Sequence, residues 1–329
     1  MILAADIGGT NSRLGIFSAR KGPRSPLAEM TCQTSAFHSA ADLLVTFLKQ
    51  AGYAVDRVFL GIAGPVIQGE ASMTNLPWVI REDQLREALK VKSVSVLNDL
   101  HAMACFLPVL KASELYTLRT GQPEPRGALA LIAPGTGLGE AFLVWDGKGY
   151  RAYPSEGGHA DFTPISDLGI ELFKKLRDRF GHVGLERICS VSGILEIYRF
   201  LREYHSLEEP EWLIRQFDGA ENPVPVIIEA ALHQDVPCDL CRQTMEIFSS
   251  ALAVEAANLA LKVLATGGVY FGGGIVNRIL PFLQSDHFSK SFQRKGRLSE
   301  LVSKIPIHVV VEPKAGLYGA AYFGLAMRD

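Results

Sequence analysis

The sequence Asp6-Ile7-Gly8-Gly9-Thr10-Asn11 follows the first apolar run of the chain, residues 2–7, and precedes a second apolar run at residues 13–18. Two such runs around adjacent glycines predict a β-hairpin with a glycine-rich loop. The glycines let backbone N–H groups approach an anion without interference from Cβ atoms, and Thr10 and Asn11 add side-chain donors. Asp6 fits a phosphate at this place only if Mg²⁺ lies between them. A plain glycine turn is the alternative reading of these residues.

The same design returns in the second half of the chain. A predicted strand at 128–133 leads into Gly135-Thr136-Gly137-Leu138-Gly139, and a second strand follows at 141–145. The loop is not a P-loop, since no Lys-Ser or Lys-Thr follows it, and Glu140 occupies the sixth position of a dinucleotide fingerprint. A strand, a glycine loop and a returning strand near the start of each half predict a duplicated fold.

A third glycine cluster, Gly272-Gly273-Gly274, lies between a predicted strand at 268–271 and a helix expected from Ile275. Glycines there would let the backbone lie against an adenosine, although close packing of a helix on a strand explains a single loop equally well. Three such loops in one chain favour a nucleotide site over simple turns.

Strands and helices alternate along the rest of the sequence, which predicts an α/β fold with mixed sheets covered by helices. Further strands are expected at 57–63, 93–97 and 305–311, and a linker at 120–127. Helices are expected at 37–51, 82–90, 167–181, 192–204, 239–265 and 315–328. The last of these is rich in small residues, which let a helix approach its neighbours closely.

Composition narrows the class of protein. The 329 residues are 48% hydrophobic and 21% charged, with a net charge of −2, as in an ordinary globular enzyme of two domains. This balance gives no electrostatic footprint for nucleic acid or an anionic membrane. The sequence starts directly with a predicted strand, without a signal-peptide pattern, and its five cysteines are mostly scattered. We therefore expect a protein of the reducing cytoplasm.

Polar residues in two places suggest a site for a hydroxylated substrate. Asn98-Asp99 ends an apolar strand at its carboxyl end, where ligands of open α/β sheets collect. A carboxylate there could accept the proton of an attacking hydroxyl, and capping of a helix N-terminus is the alternative. Glu156-Gly157-Gly158-His159 and Glu186 offer further acceptors, and the two glycines argue against a helical metal site.

Cys238 and Cys241 lack a second pair, so we expect them in the first turn of a helix rather than on zinc.

An ordered set of motifs gives the chain a family resemblance. These motifs are Asp6 to Leu14, Gly64-Pro65 with Met73-Thr74-Asn75 and Trp78, Asn98-Asp99, Gly135 to Gly139, Glu156 to Phe162, His182 to Arg187, and Gly273 to Val276. Together the chain resembles, from end to end, the bacterial ATP-dependent glucokinases of the hexokinase, actin and Hsp70-like superfamily, in the branch without the zinc-binding cysteine cluster. Leu100, where an aromatic residue often stands, and Pro134 depart from the family pattern without removing a reactive group.

The resemblance implies two RNase H-like (actin-like ATPase) domains, a small one at 1–112 plus 312–329 and a large one at 113–311, with the active-site cleft between them. It implies transfer of the ATP γ-phosphate to the 6-hydroxyl of glucose, with Asp99 as general base, and a cytoplasmic homodimer. The implied sugar-binding residues are Asn75, Asn98, Asp99, Glu156, His159 and Glu186. The implied nucleotide-binding residues are Asp6, which would hold Mg²⁺ through water, Gly8, Gly9, Thr10, Asn11, Thr136, Gly137, Gly273 and Gly274.

The residues by themselves leave other functions open. A broader hexose or amino-sugar kinase would use the same acceptors, and a non-catalytic sugar sensor could share the fold. A repressor of related fold would carry a DNA-binding segment before the first strand. An actin-type or Hsp70-type ATPase has no use for Glu156, His159 and Glu186, and a glycosidase leaves the three glycine loops unexplained.

Overall fold

The computed structural model describes residues 1–73, 76–205, 209–233 and 235–327. The strands in these ranges are β1 (Ile2–Ile7), β2 (Asn11–Phe17), β3 (Ala28–Gln33), β4 (Arg57–Ile62), β5 (Val66–Ile67), β6 (Glu70–Ser72), β7 (Val79–Arg81), β8 (Ser93–Asn98), β9 (Leu115–Arg119), β10 (Leu129–Pro134), β11 (Leu138–Trp145), β12 (Tyr150–Ser155), β13 (Gly268–Phe271) and β14 (Ile307–Val310). The helices are α1 (Ala40–Ala51), α2 (Glu82–Leu89), α3 (Asp99–Phe106), α4 (Asp167–Phe180), α5 (Val191–Tyr204), α6 (Glu211–Asp218), α7 (Val224–Leu232), α8 (Asp239–Val263), α9 (Leu280–Leu283), α10 (Asp286–Gln293), α11 (Ser299–Lys304) and α12 (Ala315–Ala326).

Strand order repeats between the two large sheets. The first sheet has the order β3-β2-β1-β4-β8. In it β2 is antiparallel to both β1 and β3, while β1, β4 and β8 are parallel. The second sheet has the order β12-β11-β10-β13-β14-β9, with β10, β13 and β14 parallel. If the strands of each sheet are numbered along the chain from β1 and from β10, both sheets have the order third, second, first, fourth, fifth. In the second sheet β9 adds a sixth strand next to β14. The predicted α/β class and the predicted duplication are therefore confirmed.

Serine residues fix the starts of several helices. The side-chain oxygen accepts the N–H of the residue three positions on, which satisfies one of the unpaired donors of the first turn. The serines that do so are Ser39 before α1, Ser166 before α4, Ser190 before α5 and Ser285 before α10. Cys238 caps α8 in a similar way, with Cys241 in the first turn, as expected. The hydrogen bond between the two thiols lowers the pKa of Cys238 and, together with burial, raises the pKa of Cys241.

The C-terminal helix packs closely because it is rich in small residues. A Cβ atom on Gly319 would lie 1.8 Å from the Ala102 carbonyl oxygen of α3, and one on Gly324 would lie 2.4 Å from the Phe59 ring. These approaches leave no room for a side chain, and α12 is buried along most of its length. The prediction that small residues would bring this helix close to its neighbours is confirmed.

The chain divides into two compact units. The first comprises Met1–Leu115, Ala141–Pro154 and Glu312–Asp329, and the second comprises Tyr116–Glu140 and Ser155–Val311. The domain bounds expected from the sequence stay a prediction. Each unit has its own apolar core, the first around β1 and β4 with α1, the second around α5, α8 and β13. Of the helices in the described ranges, none combines the length and apolarity that a bilayer-crossing segment needs.

Two sequence-based expectations were wrong. The stretch 120–127 is packed rather than a free linker, because the Gln122 N–H donates to the Lys304 carbonyl and the Glu124 N–H to the Thr266 carbonyl. Residues 274–279 form turns, and the helix expected from Ile275 begins at Leu280. Short, half-exposed strands such as β3 were not expected, since their alternating pattern carries few apolar residues.

Candidate active site

Two predicted site segments of the first unit lie at one edge of its sheet. Because β1, β4 and β8 are parallel, their carboxyl ends meet there, with Ile7 beside Ile62 and Ile62 beside Asn98. The loop that follows β1 carries the first glycine pair, and the end of β8 carries the Asn-Asp pair. The topology therefore brings the predicted phosphate loop and the predicted base together, as expected for ligand sites of open α/β sheets.

The first glycine loop is a tight hairpin turn. The Gly8 N–H donates to the Asn11 carbonyl at 3.0 Å, and a Cβ atom on Gly8 would lie 2.9 Å from that oxygen. Thr34 fixes the turn, since its hydroxyl donates to the Gly8 carbonyl at 2.8 Å and its N–H donates to the Thr10 carbonyl. The Gly8 N–H is therefore occupied within the turn, and Gly8 determines the shape of the loop. In the described chain, the N–H groups of Gly9 and Thr10 donate to no protein acceptor.

Asp6 is a partly shielded carboxylate next to this loop. Its side chain is 22% exposed, and Arg13 lies 3.9 Å away. A Cβ atom on Gly316 of α12 would lie 2.7 Å from Asp6 Oδ2, so the helix presses its backbone against the carboxylate. Burial raises the pKa of Asp6, and the Arg13 charge opposes that rise only in part. A carboxylate with this uncompensated desolvation fits a role beside a divalent cation.

Asn98 and Asp99 lie at the start of α3, and the capping alternative holds for Asn98. Its Oδ1 accepts the N–H groups of Leu100 and His101, which makes it the helix cap, and its Nδ2 donates to the Gly64 carbonyl at 3.1 Å. Asp99 is the first helical residue, with Oδ1 accepting the Leu100 N–H at 2.8 Å. Gly61 lies beside it, and a Cβ atom there would be 3.7 Å from the Asp99 Cα. The cap fixes where the Asp99 carboxylate stands.

In the second unit, the other two glycine clusters are neighbours. The strands β10 and β13 are parallel, and each ends in a cluster. The Gly135 N–H donates to the Gly137 carbonyl at 2.8 Å, while the N–H groups of Thr136 and Gly137 have no protein acceptor in the described ranges. Gly273 has a φ of 92° and would place a Cβ 2.9 Å from the Pro134 carbonyl oxygen. Only glycine suits that backbone.

Glu186 lies directly on the second glycine loop. Its Oε2 accepts the Leu138 N–H at 3.2 Å, and a Cβ atom on Gly137 would be 2.1 Å from the same oxygen. Glycine at 137 is therefore required for this carboxylate to reach the loop. The sequence indicated both residues but not that they touch, because they are far apart along the chain.

The segment from Glu156 to His159 forms a short turn on β11. Residues Gly157–His159 are a 3₁₀ turn, and a Cβ atom on Gly158 would lie 2.0 Å from the Leu138 carbonyl oxygen. The Glu156 and His159 side chains are 59% and 64% exposed, with His159 Nε2 3.9 Å from Glu156 Oε2. Both glycines thus serve close packing, while the two polar side chains face solvent and are free to meet a ligand.

Backbone pairing joins this turn to the segment that carries Glu186. The Phe162 N–H donates to the Val183 carbonyl at 2.9 Å, and the Leu185 N–H donates to the Ala160 carbonyl at 2.8 Å. The predicted acceptors Glu156, His159 and Glu186 are therefore held in one cluster with Gly137. Asn75 lies outside the described residues.

Sequence reasoning missed Glu140, a buried acid on β11 directly after the second glycine loop. Its exposed fraction is 2%, and within the described chain its Oε1 has no hydrogen-bond partner. Desolvation, followed by the neighbouring Glu255 carboxylate, raises the pKa of Glu140 to about 7. A charged residue in the inward register of an apolar strand is the sequence signal that could have found it.

A cavity of about 360 Å³ in the second unit is lined by Phe162, Ile165, Leu172, Ile247 and Val254, among others. Among the described residues, its lining includes none of the predicted site residues. The candidate site is therefore defined by the loops described above rather than by this apolar cavity.

The chain is similar over its whole length to known proteins. The family model described as Glucokinase matches residues 3–327. A glucokinase of Trichormus variabilis is 34% identical over 336 residues, covering 98% of each chain, and one of Synechocystis is 35% identical over 344 residues, covering 97% and 96%.

Solved structures share the fold over the whole chain. The glucokinase from an Antarctic psychrotroph superposes with a TM-score of 0.79 at 28% identity, covering 98% of both chains. A ROK family glucokinase from Streptomyces griseus in complex with glucose and AMPPNP has a TM-score of 0.67 at 22% identity, also covering 98% of both, and shows the same fold. On the whole-chain family match and the identity to these relatives, the chain belongs to the glucokinase family.

Proposed function

We propose that this protein transfers the γ-phosphate of ATP to the 6-hydroxyl of glucose, giving glucose 6-phosphate and ADP. Membership of the glucokinase family over residues 3–327 carries the proposal. The placement of Asn98 and Asp99 beside the first glycine loop supports it, since a kinase needs a carboxylate near its phosphate loop. Phosphoryl transfer asks mainly for positioning and charge stabilisation, which such loops supply.

We assign the role of general base to Asp99. Its carboxylate would accept the proton of the 6-hydroxyl as that oxygen attacks the γ-phosphorus, a role worth about 10²–10⁴-fold in rate. The cap made by Asn98 would hold the first turn of α3 and so fix the direction of attack. We assign the other sugar hydroxyls to Asn75, Asn98, Glu156, His159 and Glu186.

We assign the nucleotide to the glycine loops. The N–H groups of Gly9, Thr10, Thr136 and Gly137, which have no acceptor within the described ranges, would donate to phosphate oxygens. The residues that complete the nucleotide assignment are Gly8, which shapes its loop, Asn11, Gly273 and Gly274 beside the adenosine, and Asp6. When bound with ATP, Mg²⁺ would neutralise phosphate charge, and the desolvated Asp6 carboxylate suits a contact with it through water.

The test is ADP release in a coupled assay with ATP and Mg²⁺, offered glucose, mannose, fructose, galactose or glucosamine in turn. We expect sugar-dependent release with the highest kcat/KM for glucose. Similar kcat/KM values for several sugars would indicate the broader hexose or amino-sugar kinase. Hydrolysis without sugar would indicate an ATPase, and glucose binding without turnover would indicate a sugar sensor.

We also propose a cytoplasmic homodimer, on the resemblance to the bacterial family. Light scattering coupled to size-exclusion chromatography would give twice the mass of the 329-residue chain if the dimer forms. A single-chain mass at micromolar concentration would contradict it.

A further inference from the structure

Two buried carboxyl groups lie behind the turn that carries Glu156 and His159. Glu140 on β11 and Glu255 on α8 are 2% and 1% exposed, and burial, then the charge of Glu255 and a side-chain hydrogen bond with it, raise the pKa of Glu140. Two carboxylates in one water-excluded place cannot both ionise without strong repulsion, so such a pair tends to share one proton.

The two carboxyl groups have unequal partners. Glu255 accepts a hydrogen bond from Asn258 Nδ2 at 3.0 Å and lies 3.4 Å from the Lys262 ammonium. Glu140 has no such cation: in the described chain no lysine donates to it, and its Oε1 is without a hydrogen-bond partner. The negative charge therefore belongs on Glu255 and the proton on Glu140, which can donate it to the Glu255 carboxylate.

The carboxyl group of Glu140 is in contact with the backbone of the turn. A Cβ atom on Gly157 would lie 1.9 Å from Glu140 Oε2 and 2.8 Å from its Cδ. On the next residue, a Cβ atom on Gly158 would lie 2.0 Å from the Leu138 carbonyl oxygen. The turn therefore rests on this carboxyl group, and any displacement of Glu140 must move Gly157 as well.

We propose that the proton shared by Glu140 and Glu255 holds the Glu156–His159 turn in its sugar-binding geometry, which makes Glu140 a positioning residue for glucose. The proposal rests on the proposed function. Loss of the proton to bulk water leaves two buried negative charges, and Glu140 then has to move away from Glu255. Because Gly157 lies against its carboxylate, the turn moves with it and the acceptors Glu156 and His159 leave their positions.

Other charged and titratable groups face the pair. Lys262 and Lys295 attract the negative charge, and Lys295 is held by the Val254 carbonyl and the Asn258 side chain. The Cys189 thiol is fully buried, and burial raises its pKa well above its usual range, so it stays neutral. Burial raises the pKa of Glu140 to about 7 in spite of Lys262. The proton is therefore lost near neutral pH.

The experiment is glucose binding to the wild-type protein by calorimetry, without ATP, between pH 6 and pH 9. If only the protonated pair holds the turn, apparent affinity falls with the competent fraction, about tenfold for each pH unit above the midpoint. In Glu140→Gln the amide donates to Glu255 at every pH, so we expect a Kd that does not change with pH. An equally steep pH dependence in Glu140→Gln would overturn the proposal.

A second variant and a matched control complete the test. In Glu255→Gln the new amide can donate to ionised Glu140, so the pH dependence is again expected to vanish; a wild-type profile there would overturn the proposal even if Glu140→Gln fails to fold. Glu246→Gln, also on α8 but paired with Arg242 at the surface, should keep the wild-type profile. Tight binding independent of pH in the wild type would overturn this proposal alone, whereas no glucose binding at any pH would overturn the proposed function as well.

Discussion

Replacement of Asp99 by asparagine separates catalysis from structure. The Asp99 Oδ1 accepts the Leu100 N–H at 2.8 Å, and the asparagine oxygen can accept the same bond. The helix cap belongs to Asn98 and is not altered. The variant loses one negative charge in the first turn of α3, which costs about 0.3–1 kcal/mol of the free energy of unfolding. We therefore expect a folded protein.

The same substitution removes the proton acceptor. We expect kcat to fall about 10²–10⁴-fold, which corresponds to about 3–5 kcal/mol of transition-state free energy. The KM for glucose should stay close to the wild-type value, because an amide oxygen still accepts a hydrogen bond. The measurements are kcat and KM in the coupled assay, together with urea denaturation.

Asp83 offers a matched control. It lies in the first turn of α2, and its Oδ1 accepts the Gln84 N–H at 2.8 Å, the same local geometry as at Asp99. Asp83→Asn should lose similar stability and keep full activity. A kcat for Asp99→Asn within a few-fold of the wild type would refute the assignment of the base. Equal loss of activity in both variants would show that helix stability, not proton transfer, is responsible.

Three further substitutions test two close contacts and the titration of Glu140. Gly137→Ala places a methyl group 2.1 Å from Glu186 Oε2, the end of a flexible side chain, so we expect the protein to fold. The displaced carboxylate would lose its hydrogen bond with the Leu138 N–H, and the glucose KM should rise about tenfold. An unchanged KM in steady-state kinetics would contradict the role of Glu186. Gly319→Ala places a methyl group 1.8 Å from the Ala102 carbonyl oxygen, which cannot move without the backbone of α3. The free energy of unfolding, measured by urea denaturation, should fall by about 1–3 kcal/mol. Wild-type stability would show that the two helices can separate freely. The pKa of Glu140 is raised from 4.5 to about 7 in the folded state, so its contribution to stability is complete below pH 4.5 and is lost as pH rises through 7, up to about 3 kcal/mol. Glu140→Gln should be more stable than the wild type at pH 8 but not at pH 5, and equal differences at both pH values would argue against this titration.

Local sequence patterns predicted the parts of the fold whose causes are local. The apolar runs of β1, β8 and β10, the glycine pair at 8–9 and the small residues of α12 act through neighbours in the chain. They indicated the duplicated strand, loop, strand design and the position of Asn98-Asp99 at a strand end. The choice of glucose came from the ordered motifs and from the family match, because a set of hydrogen-bond acceptors does not by itself select one hexose.

Contacts between distant residues could not be predicted in this way. Thr34 follows β3, a strand with few apolar residues, and holds the Gly8 loop. The supposed linker at 120–127 hydrogen-bonds to Lys304. Both depend on chain segments meeting after folding. A polar side chain carries no local sign of the partner it will find.

The sequence by itself thus determined the α/β class, the repeat, the glycine loops and the candidate base, since periodicity and glycine chemistry are properties of short segments. Only the tertiary structure decided that Glu186 touches the loop at Gly137, and that Glu140 shares a buried place with Glu255. The pKa of a carboxyl group is set by its desolvation and its neighbours, and both exist only once the chain has folded.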